Sequence, residues 1–195
     1  MVEVQIILGS TRPGRISERI AKWVLTTANS TEGLEAEIVD LADYTMPLFD
    51  EPISPQFNPD RHPGEPVKRW LEKLAAADAY VLVTPEYNRS YSAVLKNALD
   101  YVDFQLAKKP VALVAHGTTG GAQAVAHLRG VLPGLLTFTV PKATFLIGRV
   151  SELMDESGEL AEAVKANPYG PALALKATLE DLKWYGEAMQ RARND

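Results

Sequence analysis

The chain has no cysteine. Disulfide staples, thiolate nucleophiles and sulfur-ligated metals or clusters are therefore excluded, and any redox chemistry has to come from a bound cofactor. No apolar run reaches membrane-spanning length, and no basic segment leads into a long apolar stretch at the amino terminus. A cytoplasmic protein without a membrane partner is the expectation. Positive charge is short as well: 20 Lys and Arg against 25 Asp and Glu leave a net charge of −5 and a pI near 5.3. That balance gives no electrostatic footing for nucleic acid. His62, His116 and His127 lack the spacing to carboxylates that a metal site needs, so no metal is expected. His116, at a strand end, reads as a hydrogen-bonded structural residue, while His62 and His127 show no partner. Neither Ser10 nor Ser17 lies in a Gly-x-Ser-x-Gly elbow. Gly9 and Gly14 are spaced as in a triphosphate-binding loop, but Arg15 and Ile16 stand where lysine and a hydroxyl residue belong. The three-glycine dinucleotide fingerprint is missing too.

What is present is an ordinary globular composition, 46% hydrophobic over 195 residues, enough for one domain spanning residues 1–195 with a sizeable core. Val4–Leu8, mostly apolar, and Ala79–Val83 and Val111–Ala115, apolar throughout, are short runs that read as strands buried on both faces. Leu34–Val39 alternates apolar and acidic residues, and Leu136–Val140 alternates with threonines before Pro141. Both read as edge strands. Helical spacing follows Ile16, Ile20, Trp23 and Val24; Val67, Trp70, Leu71 and Leu74; Tyr91, Val94, Leu95, Ala98, Leu99 and Val102; Val125, Leu128 and Leu132; and Leu175, Leu179, Leu182 and Met189. Five strands alternating with five helices give a parallel sheet covered on both faces. Apolar first, third and fourth strands with alternating second and fifth fit the flavodoxin-like α/β sandwich, a five-stranded sheet in order 2-1-3-4-5. Tyr44–Glu65, with five prolines, is too long for a simple connection and suits a lid, a partner contact or disorder. Gly148–Gly170 is polar and weakly patterned.

Three polar turns follow the three central strands and so converge on one rim of the sheet, the end at which open α/β sheets bind ligands. Ser10 to Ser17 offers hydroxyls, Arg12, Arg15 and a helix N-terminus, a set suited to a phosphate monoester. Its plain alternative is a serine-capped turn with solvated arginines. Pro85-Glu86-Tyr87-Asn88 presents a rigid turn and a tyrosine ring to a planar ligand, or else packs Tyr87 on a neighbour and leaves Glu86 in water. Gly117-Thr118-Thr119-Gly120-Gly121 allows close approach to the main chain, or simply punctuates a turn.

These blocks resemble the NAD(P)H-dependent FMN reductases of the flavodoxin-like superfamily, which include quinone, azo and chromate reductases. The likeness rests on Gly9-Ser10-Thr11-Arg12, on Pro85-Glu86-Tyr87-Asn88 with Leu95-Lys96-Asn97-Ala98-Leu99-Asp100, and on Gly117–Gly121. Met46–Asp50 and Asp155–Gly158 extend it over essentially the whole chain. The resemblance implies that Ser10, Arg12, Ile16 and Ser17, with Arg15, hold the FMN phosphate. Pro85, Glu86, Tyr87 and Asn88 would lie along the isoalloxazine ring, and Gly117, Thr118, Thr119 and Gly120 near its pyrimidine edge. Position 92 is serine where the family often has proline, and Pro13-Gly14-Arg15-Ile16 departs from the usual polar residues before Ser17.

The expected activity is transfer of reducing equivalents from NADPH or NADH, through FMN, to a small acceptor such as a quinone, azo compound, free flavin or metal oxyanion. The cofactor carries the chemistry, so no catalytic acid–base residue is expected. Two other readings stay open at the level of sequence: a flavodoxin-type electron carrier and a flavin-binding regulatory protein with little turnover. The resemblance further implies a homodimer or homotetramer, and Phe49, Phe57, Tyr91 and Tyr101 are aromatic positions available either to an interface or to the core.

Overall fold

A computed structural model describes residues 1–194. Its sheet is formed by β1 (Val2–Leu8), β2 (Leu34–Asp40), β3 (Ala79–Pro85), β4 (Pro110–Gly117) and β5 (Phe138–Ile147). All neighbours pair in parallel, in the order β2-β1-β3-β4-β5. The helices are α1 (Ser17–Asn29), α2 (Glu65–Ala75), α3 (Ala93–Asp100), α4 (Ala122–Val131), the one-turn α5 (Val150–Leu153) and α6 (Glu162–Lys165), and α7 (Pro171–Asn194).

Successive residues of the central strands point to opposite, helix-covered faces, so these strands are mainly apolar; Gln5 of β1 is a buried exception that donates to the Lys73 carbonyl at 2.7 Å. Ile6 and Leu8 of β1, Val81 and Val83 of β3, and Val114 of β4 face α1 and α7, where they meet Ile20, Val24, Leu175, Leu179 and Leu182. The intervening Ile7, Tyr80, Leu82 and Leu113 face α2, α3 and α4, where Trp70, Leu74, Leu95 and Leu128 cover them. Each such side chain, fully buried, stabilises the fold by roughly 1.5–3 kcal/mol before conformational entropy is set against it. Trp70 also donates its indole N–H to the Ala98 carbonyl at 2.9 Å, tying α2 to α3.

The register aligns the carboxyl ends. Leu8 lies opposite Asp40 and Val83, Pro85 opposite His116, and Gly117 opposite Ile147. The three polar turns therefore leave the sheet side by side.

Four local expectations are corrected. The fifth strand does not run from Leu136 to Val140: Leu136 sits before it at φ 59° and is 51% exposed, and β5 continues past Pro141 to Ile147. Proline is tolerated because it falls in an irregularity, where Thr139 pairs with Val111 and Ala143 with Leu113. Tyr91 and Val102 are buried but flank α3 rather than belonging to it. Met189 is only half-buried; the buried stripe of α7 is Leu175, Leu179 and Leu182, with Gly186 against Val2. The weakly patterned segment after β5 holds α5, α6 and a bridge between Met154 and Leu160, with Val150, Met154 and Leu160 in the core.

The proline-rich loop is tied down at two places. Asn97 of α3 accepts from Phe49 N–H at 2.8 Å and donates to the Pro47 carbonyl at 2.7 Å. Arg61 grips Glu51 through two bonds of 2.7 and 2.9 Å and reaches Asp103 at 3.1 Å. Phe49 packs edge-on against Tyr101, with ring centres 5.2 Å apart. Tyr91 and Tyr101 are core, whereas Phe57 is 78% exposed.

Candidate functional site

The first turn departs from β1 at Gly9 and delivers the chain into α1. Ser10 is buried, and its Oγ accepts from Arg12 N–H at 3.5 Å and lies 3.3 Å from the Tyr87 hydroxyl. Arg15 folds back across the turn, donating to the Ser10 carbonyl at 2.7 Å and pairing through both terminal nitrogens with Asp40. The Asp40 carboxylate thus balances its charge, which leaves Arg12 as the exposed guanidinium of this turn. Ile16, 37% exposed, occupies the position before the helix, and no side chain caps α1. Among the described residues the Ser17 and Glu18 N–H groups have no internal partner, while the Arg19 N–H bonds the Ile16 carbonyl at 3.0 Å; the buried Ser17 hydroxyl stands beside the two open groups.

The second turn is a closed two-residue hairpin. Tyr87 and Ser90 exchange N–H bonds of 2.8 and 3.0 Å, with Asn88 and Arg89 at φ 49° and 69°. The Tyr87 ring is 37% exposed along the rim. Glu86 is half-buried and its carboxylate is engaged rather than free in water. Its N–H extends the ladder to the His116 carbonyl at 2.8 Å, and its carboxylate accepts from Thr119 Oγ at 3.0 Å and from Gln123 N–H at 2.9 Å. Glu86 therefore occupies the N-terminus of α4, where the helix dipole favours its charge. His127, for which the sequence offered no partner, places Nδ1 3.0 Å from Ser90 Oγ and holds the hairpin from the side.

Ser92 joins the two turns. Its hydroxyl accepts from Leu95 N–H at 3.2 Å, capping α3, and donates to the Gly9 carbonyl at 2.5 Å. A proline at this position would supply neither bond.

The third turn curls over the end of β4. Gly117 accepts from Gly120 N–H at 2.9 Å and from Gly148 N–H at 3.3 Å. Among the described residues the Thr118 and Thr119 N–H groups have no internal partner, and both residues are exposed at the rim. His116 is 8% exposed, with Nε2 2.8 Å from Ser17 Oγ. Burial pulls its pKa down from 6.5 to about 4. The imidazole is neutral in the fold and takes a proton on unfolding below about 6.5. Stability from this group is whole above that pH and is lost as the pH falls towards 4, by on the order of 3 kcal/mol in all. Denaturant titrations from pH 7 to pH 4 should show His116→Gln, which cannot titrate, losing stability less steeply than the parent. Parallel curves would contradict this.

Several hollows lie away from the rim. One of about 260 Å³ is lined by Glu3, Gln5, Glu35 and Glu37 at the opposite end of the sheet. Others of about 290–480 Å³ flank the proline-rich loop. The rim offers a different kind of site: a ledge with an open helix N-terminus, a buried hydroxyl, an exposed tyrosine and two free backbone donors. Such donors suit a phosphate at one end and a flat, hydrogen-bonding ring along the other. Among the described residues no cluster of carboxylates and histidines is fit to hold a metal ion, and no helix is long and apolar enough to cross a membrane.

The sheet order and the helices on both faces define a flavodoxin-like protein, with the ledge at the carboxyl end of its sheet. Residues 2–152 match the family model of NADPH-dependent FMN reductases. The chain is 34% identical to an NAD(P)H-dependent FMN reductase of Schizosaccharomyces pombe over 172 residues, 84% of this chain and 86% of that one. It is 32% identical to an NADPH azoreductase of a Bacillus species over 185 residues, 93% of this chain and 95% of that one. The protein belongs to the NADPH-dependent FMN reductase family. Among solved structures, the flavoenzyme NAD(P)H:(acceptor) oxidoreductase of Paracoccus denitrificans superposes with a TM-score of 0.75. That match covers 97% of this chain and 99% of the other at 23% identity, a likeness of fold.

Proposed function

We propose that this FMN-dependent NAD(P)H oxidoreductase, acting as one domain over residues 1–195, holds its flavin on the ledge formed by the three turns. Reducing equivalents would pass to small acceptors such as quinones, azo compounds, free flavins or metal oxyanions. One contrast carries the reading: Ser92 caps α3 and the Glu86 carboxylate fills the end of α4, while α1 has no side-chain cap and its Ser17 and Glu18 N–H groups stay open. A phosphate belongs where donors are unspent.

Ser17, the open N–H groups of α1 and Arg12 would hold that phosphate. Ile16 flanks it. Arg15, neutralised by Asp40, would act through the shape it gives Ser10 and the turn rather than by direct charge. Pro85, Glu86, Tyr87 and Asn88 would support the ring. The Thr118 and Thr119 N–H groups, presented between Gly117 and Gly120, would meet its polar edge and stabilise negative charge there, as preorganised dipoles do. When bound, FMN would supply the two-electron redox chemistry that links NADPH or NADH to the acceptor. No residue of the rim has to move a proton. The Tyr87 hydroxyl, beside Ser10 Oγ, orients the ledge.

Homodimers or homotetramers are supported by the outward-facing Leu48, Ile53, Phe57 and Phe104, exposed by 83, 49, 78 and 56%. Solution mass checks this. A cytoplasmic setting fits the lack of cysteine and the need for reduced nicotinamide.

The deciding experiment is spectroscopic. Protein reconstituted with FMN should retain a flavin absorption band through gel filtration, and anaerobic NADPH or NADH should bleach it. A protein that retains no FMN, or whose bound FMN neither nicotinamide reduces, would overturn the reading.

A further inference from the structure

His116 touches all three turns, although it lies in none of their motifs. Its imidazole meets Ser17 of the first turn, and its carbonyl accepts the Glu86 N–H of the second. The third turn folds back so closely that a Cβ on Gly121 would lie 2.9 Å from its backbone nitrogen.

The contact with Ser17 has two possible hydrogen arrangements, and they differ in consequence. Only one hydrogen lies between Ser17 Oγ and His116 Nε2 at 2.8 Å. If the serine gives its hydrogen to Nε2, its only donor is spent and the hydroxyl can offer nothing to an anion. If Nε2–H donates to Oγ, the serine O–H is free to turn towards the open end of α1. A neutral ring can adopt either tautomer, and burial keeps this ring neutral.

We propose that His116 is a positioning residue for the flavin phosphate: its Nε2–H donates to Ser17 Oγ and thereby aims the serine hydrogen at the anion. This rests on the reading that the phosphate lies at the α1 N-terminus. Histidine never contacts the ligand. Its effect is carried by Ser17 and belongs to the phosphate end alone, which separates it from a general structural role.

The test compares FMN with riboflavin, which has the same ring and no phosphate. His116→Phe removes the donor that aims Ser17 while leaving the serine hydroxyl in place, and should raise the FMN dissociation constant by about three- to tenfold, the usual effect of losing one neutral hydrogen bond. Riboflavin affinity should stay within about twofold. His116→Gln places an amide N–H near the position of Nε2 and should restore most of the FMN affinity. In a Ser17→Ala background His116→Phe should have little further effect, because both changes remove the same bond. Nitrogen NMR of the unsubstituted protein needs no folded variant and should show Nε2 protonated, Nδ1 not.

Equal loss of FMN and riboflavin affinity, additivity with Ser17→Ala, or an unprotonated Nε2 would overturn the proposal. If the unsubstituted protein bound riboflavin as tightly as FMN, the placement of the phosphate itself would fall, a result distinct from all three.

Discussion

Gly121→Val destabilises the chain by roughly 3–5 kcal/mol and abolishes flavin binding. Two costs add. The residue sits at φ 83°, where a non-glycine residue costs about 1–2 kcal/mol and a β-branched one more. A Cβ there would also lie 2.5 Å from the Ala115 Cβ, 2.9 Å from His116 N and 3.0 Å from the Ala115 carbonyl carbon. These are atoms of the β4 terminus, fixed by its pairing with β3 and β5, so the turn rather than the strand must move. Overpacking of that kind adds about 1–3 kcal/mol. The displaced turn carries Thr118, Thr119 and the start of α4, so it would also lose the Glu86 contact. Gly14→Ala is the control, because φ there is 68° but nothing lies within 4 Å of the added carbon. It should cost about 1 kcal/mol and spare binding. Urea denaturation and FMN titration of both variants check the difference, and similar losses in the two would show that the contact at β4 is not what matters.

Much of this architecture was legible because the sheet writes its burial into the chain. A strand covered on both faces is mainly apolar, Gln5 in β1 being an exception, and an edge strand alternates, so the pattern of apolar and alternating runs fitted the order β2-β1-β3-β4-β5. The end of β5 was not legible, because Pro141 looks like a terminator and is accommodated only by a bulge against β4.

At the rim, the identity of the three turns was readable but their bonding was not. Arg15 and Glu86 looked like solvent-facing or ligand-facing charges. Their partners, Asp40 and the N-terminus of α4, come from other elements, brought close by the register rather than by local pattern. Asp40 left a trace: it ends the alternating second strand, and the expected order placed that end beside the first turn. Ser92 was noticed only as a missing proline, and its bond to Gly9 spans 83 positions. Local sequence reports what a segment can do. Which of its donors are already spent is decided by residues far along the chain, and here that is what separates α1 from α3 and α4.

Arg61→Ala should release the proline-rich loop and cost about 2–4 kcal/mol, again through partners that local pattern did not reveal. The Arg61 side chain is 7% exposed between Glu51 and Asp103, at 16 and 25%. Removing it leaves two partly buried carboxylates facing each other without a cation, the costly way to break a buried ion cluster. Arg61→Lys should recover little, since a point-like ammonium cannot reproduce the fork to Glu51 while also reaching Asp103. The loss should be local at first, because Asn97 and Tyr101 still hold Pro47–Phe49. Hydrogen exchange should therefore accelerate over residues 50–63 well before the sheet, with FMN binding retained at low temperature. Because the same loop carries the exposed Leu48, Ile53 and Phe57, loosening it should also weaken any self-association, seen as a concentration-dependent drop in solution mass. Unchanged exchange across the loop would mean that the Arg61 cluster is not its clamp.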